Sequence, residues 1–377
     1  MQVPSDLDLK TVLTDLSAQG AVSYAHPHGL YETVQRPNAP RLGEQWAVTK
    51  MRLMEAWDVT TGDVSVIVGV IETCRYPSHP DLEGKFLPGY DYYATDPDPN
   101  DVGGHGTMVS GVIGALGNNG IGVAGTDWKC KILPYRTGDR YLSGWAIVQS
   151  IRSAADAGAR VINMSFGGGQ FQSEHEALKY AYARGVVLVA AAGNAGTSTP
   201  EYPAAYPEVI GVVATTSADE KASFSSYGSW VDVSAPGVNI LTTVVGGDYR
   251  YVNGTSFASP YTAGLSALLL SINPQLSNEE VRQILRQTAV DLGAPGFDDI
   301  YGYGRIDAKA AVDAAKSSST DETAPVIVHD PAGSTPPGIS MSVQAEIRDN
   351  VAVHSATLSY RRMGETVFTE VVMAYLG

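Results

Sequence analysis

At 377 residues the chain is long enough for one large or two ordinary domains, and its 40 glycines and 21 prolines fit a loop-rich globular body rather than a coiled coil or disorder. A formal net charge of −15 excludes nucleic acid and anionic membrane as main partners, because both demand clustered Lys and Arg, and it favours cations as guests. No apolar run reaches the roughly 20 residues of a membrane helix, and Cys74 and Cys130 have neither metal-ligand spacing nor a disulfide framework, so two free thiols are expected.

Leu9, Val12, Leu13 and Leu16 recur at helical spacing, and Ala21 to Pro27 reads as extended. A loop rich in Pro, Asn and Arg then runs to about Arg41. The first residues lack the basic and apolar regions of a secretory signal. Between residues 46 and 316, strand-like runs alternate with helical ones. Strands are expected at Val64 to Ile71, Lys131 to Tyr135, Val161 to Ser165, Val186 to Ala191 and Val209 to Ala214; helices at His105 to Leu116, Gly144 to Gly158 and Glu174 to Arg184. Such alternation means an α/β fold: a mainly parallel sheet with right-handed crossovers, helices on both faces and ligands beyond the carboxyl ends of its strands.

Ser277-Asn278-Glu279-Glu280 has capping-box spacing ahead of Val281, Ile284 and Leu285. Residues 317–324 read as a Ser/Thr-rich linker. Beyond it, Ser340 to Arg348, Ser355 to Arg361 and Thr366 to Ala374 alternate like strands, part of a β-sandwich over residues 325–377.

Three segments carry chemistry: Val68-Gly69-Val70-Ile71-Glu72-Thr73, Gly104-His105-Gly106-Thr107 and Gly254-Thr255-Ser256-Phe257-Ala258-Ser259-Pro260. A serine hydroxyl is a poor nucleophile without a base, an orienting acid and oxyanion donors. Ser256 offers the hydroxyl, at the mouth of an apolar helix; its structural alternative is an ordinary helix N-cap. His105 offers a base that titrates near neutrality; its alternative is a surface histidine. A Gly-x-Ser-x-Gly elbow, which a lipase or esterase would need, is absent around Ser256.

In these segments the chain resembles the subtilisin-like serine proteases, most closely their thermitase-like branch, over about residues 46–316. The resemblance implies a three-layer subtilisin-like fold in a catalytic domain spanning 41–316. It also implies a secreted, monomeric endopeptidase acting on polypeptides, with Ser256 as nucleophile and His105 as base. Asn194, in Ala190-Ala191-Ala192-Gly193-Asn194, matches the side-chain oxyanion donor, with a turn asparagine as its structural alternative. Ser165-Phe166-Gly167-Gly168 matches the segment that pairs with substrate backbone and walls the primary pocket; Ala190 to Gly193, including Ala191 and Gly193, would form the opposite wall. No charged residue is evident there, so cleavage after hydrophobic or aromatic residues is expected.

Glu72 departs from the family, which has aspartate at this strand end. The extra methylene adds on the order of 1.5 Å of reach against a hydrogen-bond window of about 2.6 to 3.2 Å, so reduced activity is expected. A protease-fold binding protein disabled by Glu72 is the rival reading. Cys74 stands where glycine commonly follows the acid-Thr pair. The resemblance further implies structural calcium: Asp91, Asp96, Asp98 and Asn100 in one loop, and Asp81 with Asn119 and the carbonyls of Leu116, Ile121 and Val123 at a second site. Ala39 falls where that branch supplies another carboxylate to the second site. Residues 1–40 resemble the end of an inhibitory propeptide, which would make the chain its own partner before a cut between His28 and Arg41.

Overall fold

The computed structural model describes residues 36–318 and four short strands at 326–329, 345–348, 357–360 and 369–372. The helix and strand expected before Pro27 and most of the 317–324 linker lie outside the described residues. Two short helices, α1 (Trp46–Lys50) and α2 (Leu53–Trp57), precede the first strand, β1 (Ile67–Glu72). There follow β2 (Tyr90–Asp91), α3 (His105–Gly114), β3 (Lys131–Arg136), α4 (Gly144–Asp156), β4 (Val161–Met164), α5 (Gln172–Tyr182), β5 (Val187–Ala191) and β6 (Val209–Thr215). Then come β7 (Val233–Pro236), the hairpin β8 (Ile240–Thr243) and β9 (Tyr249–Val252), and three helices: α6 (Thr255–Ile272), α7 (Asn278–Gln287) and α8 (Ala308–Ser318).

Seven strands form one sheet in the order β2-β3-β1-β4-β5-β6-β7, and every pairing in it is parallel. The order turns at β1. From there the chain builds outward through β3 on one side and through β4 on the other, so the crevice at the end of β1 is where a ligand site belongs in such sheets.

Alternation along β1 sets the layers. Val68 and Val70 join the core cluster containing α3 and α6, while Ile71 joins the one containing α4 and α5. Gly69 lies against α4, where an added Cβ would stand 3.1 Å from that of Ala154. By the same alternation Glu72 falls on the α3 and α6 side. Helix α6 is buried from Thr255 through Leu270, as an all-round apolar helix in a core should be.

Differences from expectation are local. The first strand starts at Ile67 rather than Val64, because Asp63 accepts the Ser65 N–H at 2.8 Å and turns the chain. Helix α3 stops at Gly114 because the Leu116 N–H goes to the Asp81 carbonyl at 2.8 Å. The capping box at Ser277 forms, its hydroxyl accepting the Glu280 N–H at 3.2 Å and Glu280 accepting the Ser277 N–H at 2.5 Å. Both cysteines are free and buried.

Helix α8 runs through Ser317 and Ser318, the first residues of the expected linker. Beyond it, β10 (Val326–His329) pairs antiparallel with β11 (Ala345–Arg348), and β12 (Thr357–Tyr360) with β13 (Thr369–Val372). Three of these fall within the alternating segments; Val326–His329 was not expected.

Candidate active site

Glu72 ends β1, His105 opens α3, Ser165 follows β4, Asn194 follows β5 and Ser256 lies in the first turn of α6. Parallel strands bring these ends to one edge of the sheet. Helix α3 reaches Glu72 because glycine permits it. Gly104 caps the helix at φ +83°, and a Cβ on Gly106 would stand 2.2 Å from the Cys74 carbonyl oxygen.

His105 Nδ1 lies 2.9 Å from Glu72 Oε2. The longer acid therefore reaches the imidazole. Its other oxygen, Oε1, is buried without a hydrogen-bond partner among the described residues. Phe257 packs against the His105 ring with centroids 5.6 Å apart. Burial pulls the His105 pKa down, but the charge and hydrogen bond of Glu72 and the charge of Asp101 outweigh it, so the net shift is upward. The Cys74 thiol is pushed well up by burial and donates to the Val70 carbonyl at 3.6 Å; it is packing, not a thiolate.

Gly254, not Ser256, is the N-cap of α6, and no side chain caps that helix, so the capping role for Ser256 does not hold. The Ser256 hydroxyl donates to the Ser165 carbonyl at 3.1 Å rather than to His105. In return Ser165 Oγ donates to the Ser256 carbonyl at 2.9 Å. That carbonyl is available because Pro260, four residues on, has no N–H to give it. Asn163 Nδ2 donates to Ser165 Oγ at 2.9 Å and Ser259 Oγ donates to Asn163 Oδ1 at 2.7 Å, which fixes the end of β4 against α6.

Asn194 Oδ1 accepts the Thr255 N–H at 2.9 Å and the Thr255 hydroxyl at 3.0 Å. These bonds hold the amide by its oxygen and leave its NH2 to donate elsewhere. Its backbone is not in the left-handed region; Gly193, at φ +98°, takes the turn. The Ser256 N–H has no acceptor among the described residues, as a first-turn helix amide need not. Gly193 and Ala191 are buried, Phe166 is half-buried and Gly167 exposed. The main chain of Phe166 and Gly167 makes no hydrogen bond among the described residues, whereas Gly168 and Tyr202 exchange both of theirs at 2.8 and 3.0 Å.

Sequence reasoning missed three supports. Asp101 is buried and accepts from Gly104 N at 2.6 Å, Thr107 N at 2.8 Å, Thr107 Oγ1 at 2.5 Å and Thr73 Oγ1 at 2.7 Å. No local signal marks it, because Gly104 caps α3 and Asp101 lies three residues outside that cap. Thr255 orients Asn194, and nothing local announces it. Glu201 corrects the expectation of an uncharged pocket: its carboxylate lies against both Gly167 and Gly193.

The proposed calcium ligands divide. Asp91 accepts from Tyr93 N and Ala94 N and pairs with Arg136. Asp96 accepts from Asp98 N, and Asp98 accepts from Asn100 Nδ2 and faces Arg75. Asp91 is taken up by these donors, whereas Asp96 Oδ2 and Asn100 Oδ1 accept no hydrogen bond among the described residues. Asp81 is fully buried with no cationic partner among the described ion pairs; Asn119 Nδ2 donates to it at 2.7 Å, Val123 N at 2.9 Å and the Tyr249 hydroxyl at 2.8 Å. A buried, uncompensated carboxylate beside an amide side chain fits a hard cation in donor chemistry. Only glycine allows the loop so close, since a Cβ on Gly122 would stand 2.1 Å from Asp81 Oδ2. Among the described residues no three His, Cys, Asp or Glu side chains gather as a metal cluster.

Fold and site together define an α/β protein with an acid, a histidine and a serine gathered at one end of a parallel sheet. Residues 63–304 match the model of the subtilase family, and the chain belongs to that family. It is 43% identical over 309 residues to the thermophilic serine proteinase of Bacillus sp. (strain AK1), covering 81% of this chain and 76% of that one. Thermitase of Thermoactinomyces vulgaris is 41% identical over 280 residues, covering 73% and 99%. A solved protease structure from Pseudoalteromonas arctica PAMC 21717 superposes with a TM-score of 0.69 at 32% identity, covering 74% of this chain and all of that one.

Proposed function

We propose that this chain is a serine endopeptidase working through an acyl-enzyme at Ser256. The observation that carries the reading is the 2.9 Å contact between Glu72 Oε2 and His105 Nδ1, made beside a serine whose hydroxyl takes no part in capping its helix. Glu72 fixes the tautomer that carries its proton on Nδ1, which leaves Nε2 free to act as base. In the first step the Ser256 hydroxyl turns from the Ser165 carbonyl to Nε2, and Oγ attacks the peptide carbonyl as the proton passes to the imidazole. The oxyanion is met by the Asn194 NH2 and the Ser256 N–H; losing one such donor typically slows turnover on the order of a hundredfold to a thousandfold. His105 then protonates the leaving amine, and water repeats the sequence on the ester.

Substrate lies extended along the free main chain of Phe166 and Gly167, so affinity comes from backbone and tolerance of side chains is broad. Ser165 to Gly167 and Ala191 to Gly193 bound the primary pocket; their small size admits large apolar side chains. Calcium at Asp81 and Asn119 would lend the native state stability and takes no part in the reaction. Secretion, and processing of residues 1–40 as a propeptide, complete the reading. No helix among the described residues is long and apolar enough to cross a membrane. Casein hydrolysis by the purified chain, abolished in Ser256→Ala, is the expected result; equal behaviour of the two proteins would favour a binding role for the groove.

A further inference from the structure

The primary pocket contains a carboxylate that the chemistry at Ser256 does not use. Glu201 Oε2 is the atom shared by both walls: a Cβ built on Gly193 would stand 2.1 Å from it, and one built on Gly167 would stand 2.7 Å from it. The side chain therefore crosses from one wall to the other, one residue from Asn194 on the first and two from Ser165 on the second. Gly193, at φ +98°, and the bare Gly167 leave the room it occupies.

Its position is built. The Ser226 hydroxyl donates to Glu201 Oε1 at 2.7 Å, and the Ser226 N–H donates to the Gly193 carbonyl at 2.9 Å, so the residue that holds the acid also holds the wall. The paired amides of Gly168 and Tyr202 fix the next residue along. Oε2 takes no hydrogen bond, and Glu201 forms no ion pair among the described residues. A half-buried carboxylate with one committed and one free oxygen, and no cation of its own, is an acceptor waiting for a charged donor.

We propose that Glu201 is a specificity-determining residue that makes the primary pocket accept Lys or Arg on the acyl side of the scissile bond and reject Asp and Glu there. The inference rests on the endopeptidase reading of the site. The aliphatic stem of a lysine or arginine packs between walls of glycine and alanine as an apolar side chain would, and its cationic head meets Oε2 at the far side. An acidic residue would set two carboxylates together, which is disfavoured on both charge and desolvation grounds. Apolar residues still enter, without the added charge contact.

The test uses otherwise identical tripeptide anilides ending in Lys, Phe or Glu, with the intact chain, Glu201→Gln and Glu201→Ala. The unaltered protein should turn over the Lys substrate at least tenfold better in kcat/KM than the Glu substrate, and raised salt should narrow that ratio. In Glu201→Gln the Lys:Phe ratio in kcat/KM should fall about tenfold, mostly through KM for Lys. A wild-type protein that cleaves Glu as well as Lys overturns the proposal without recourse to any variant, and so does an unmoved Lys:Phe ratio in folded Glu201→Gln. If none of the three is cleaved and a serine-directed phosphonate fails to label the protein, the endopeptidase reading falls and takes this one with it; labelling with unchanged preference refutes Glu201 alone.

Discussion

The imidazole of His105 is held by opposing effects, and their balance sets a pH dependence. Burial favours the neutral ring, while Glu72 and Asp101 favour the cation and prevail, so the pKa lies above the ordinary histidine value. A base must be neutral to accept the Ser256 proton. The acid limb of kcat/KM should therefore fall above the ordinary histidine range, with activity rising as pH rises through it. Glu72→Gln removes the charge that raises the pKa and leaves the burial that lowers it. The limb should move to lower pH, and the plateau should drop by roughly ten-thousandfold, the scale on which serine proteases lose activity when the acid can no longer fix the tautomer. A pH profile of kcat/KM checks both; an unmoved limb would remove Glu72 from its role. The same contact stabilises the fold while His105 is protonated, so that share is present at acid pH and fades as pH passes the raised value.

Helix α5 carries a different ionisable group, with a consequence for stability alone. Glu174 is buried in its first turn, Oε2 has no partner among the described residues, and burial pushes its pKa up to about 7. The folded state holds this proton where the unfolded chain releases it. Stability contributed by the protonated form is whole below the ordinary carboxylate range and is lost as pH climbs through about 7. The full penalty is on the order of 3 kcal/mol, since each pKa unit corresponds to about 1.4 kcal/mol. Glu174→Gln should raise the melting temperature by about 5 to 10 °C at pH 8 and leave it nearly unchanged at pH 4, as scanning calorimetry at the two pH values would read.

Most long elements were legible because their apolar periodicity matches their burial on both faces of the sheet. The short ones were not. β7 spans four residues and ends in Pro236 at the sheet edge, and α1 and α2 have five residues each, too few for a period to emerge. Of the site, His105 and Ser256 stood out because glycines flank one and small residues surround the other. Glu201 did not, because only the folding of its loop against two glycines places a carboxylate in the pocket.

At the scale of the molecule, a buried acid without a cation is a demand on the whole fold, because Asp81 ties the loop at Asn119 to the β8–β9 hairpin through Tyr249. An ion bound only by the native state stabilises it in proportion to the logarithm of its concentration over Kd. Chelation should lower the melting temperature by several degrees, excess calcium should restore it, and Asp81→Asn should abolish the response. A melting temperature indifferent to chelator would exclude a calcium at Asp81.

All parts of the account meet at the Ser256 hydroxyl, whose reactivity depends on strands, helices and one long carboxylate being in register. Intact-mass measurement after treatment with a serine-directed phosphonate tests this most directly. The account predicts one stoichiometric adduct, mapped to Ser256, absent in Ser256→Ala and slowed by orders of magnitude in His105→Ala. An unmodified protein, or an adduct on another residue that persists in Ser256→Ala, would contradict it.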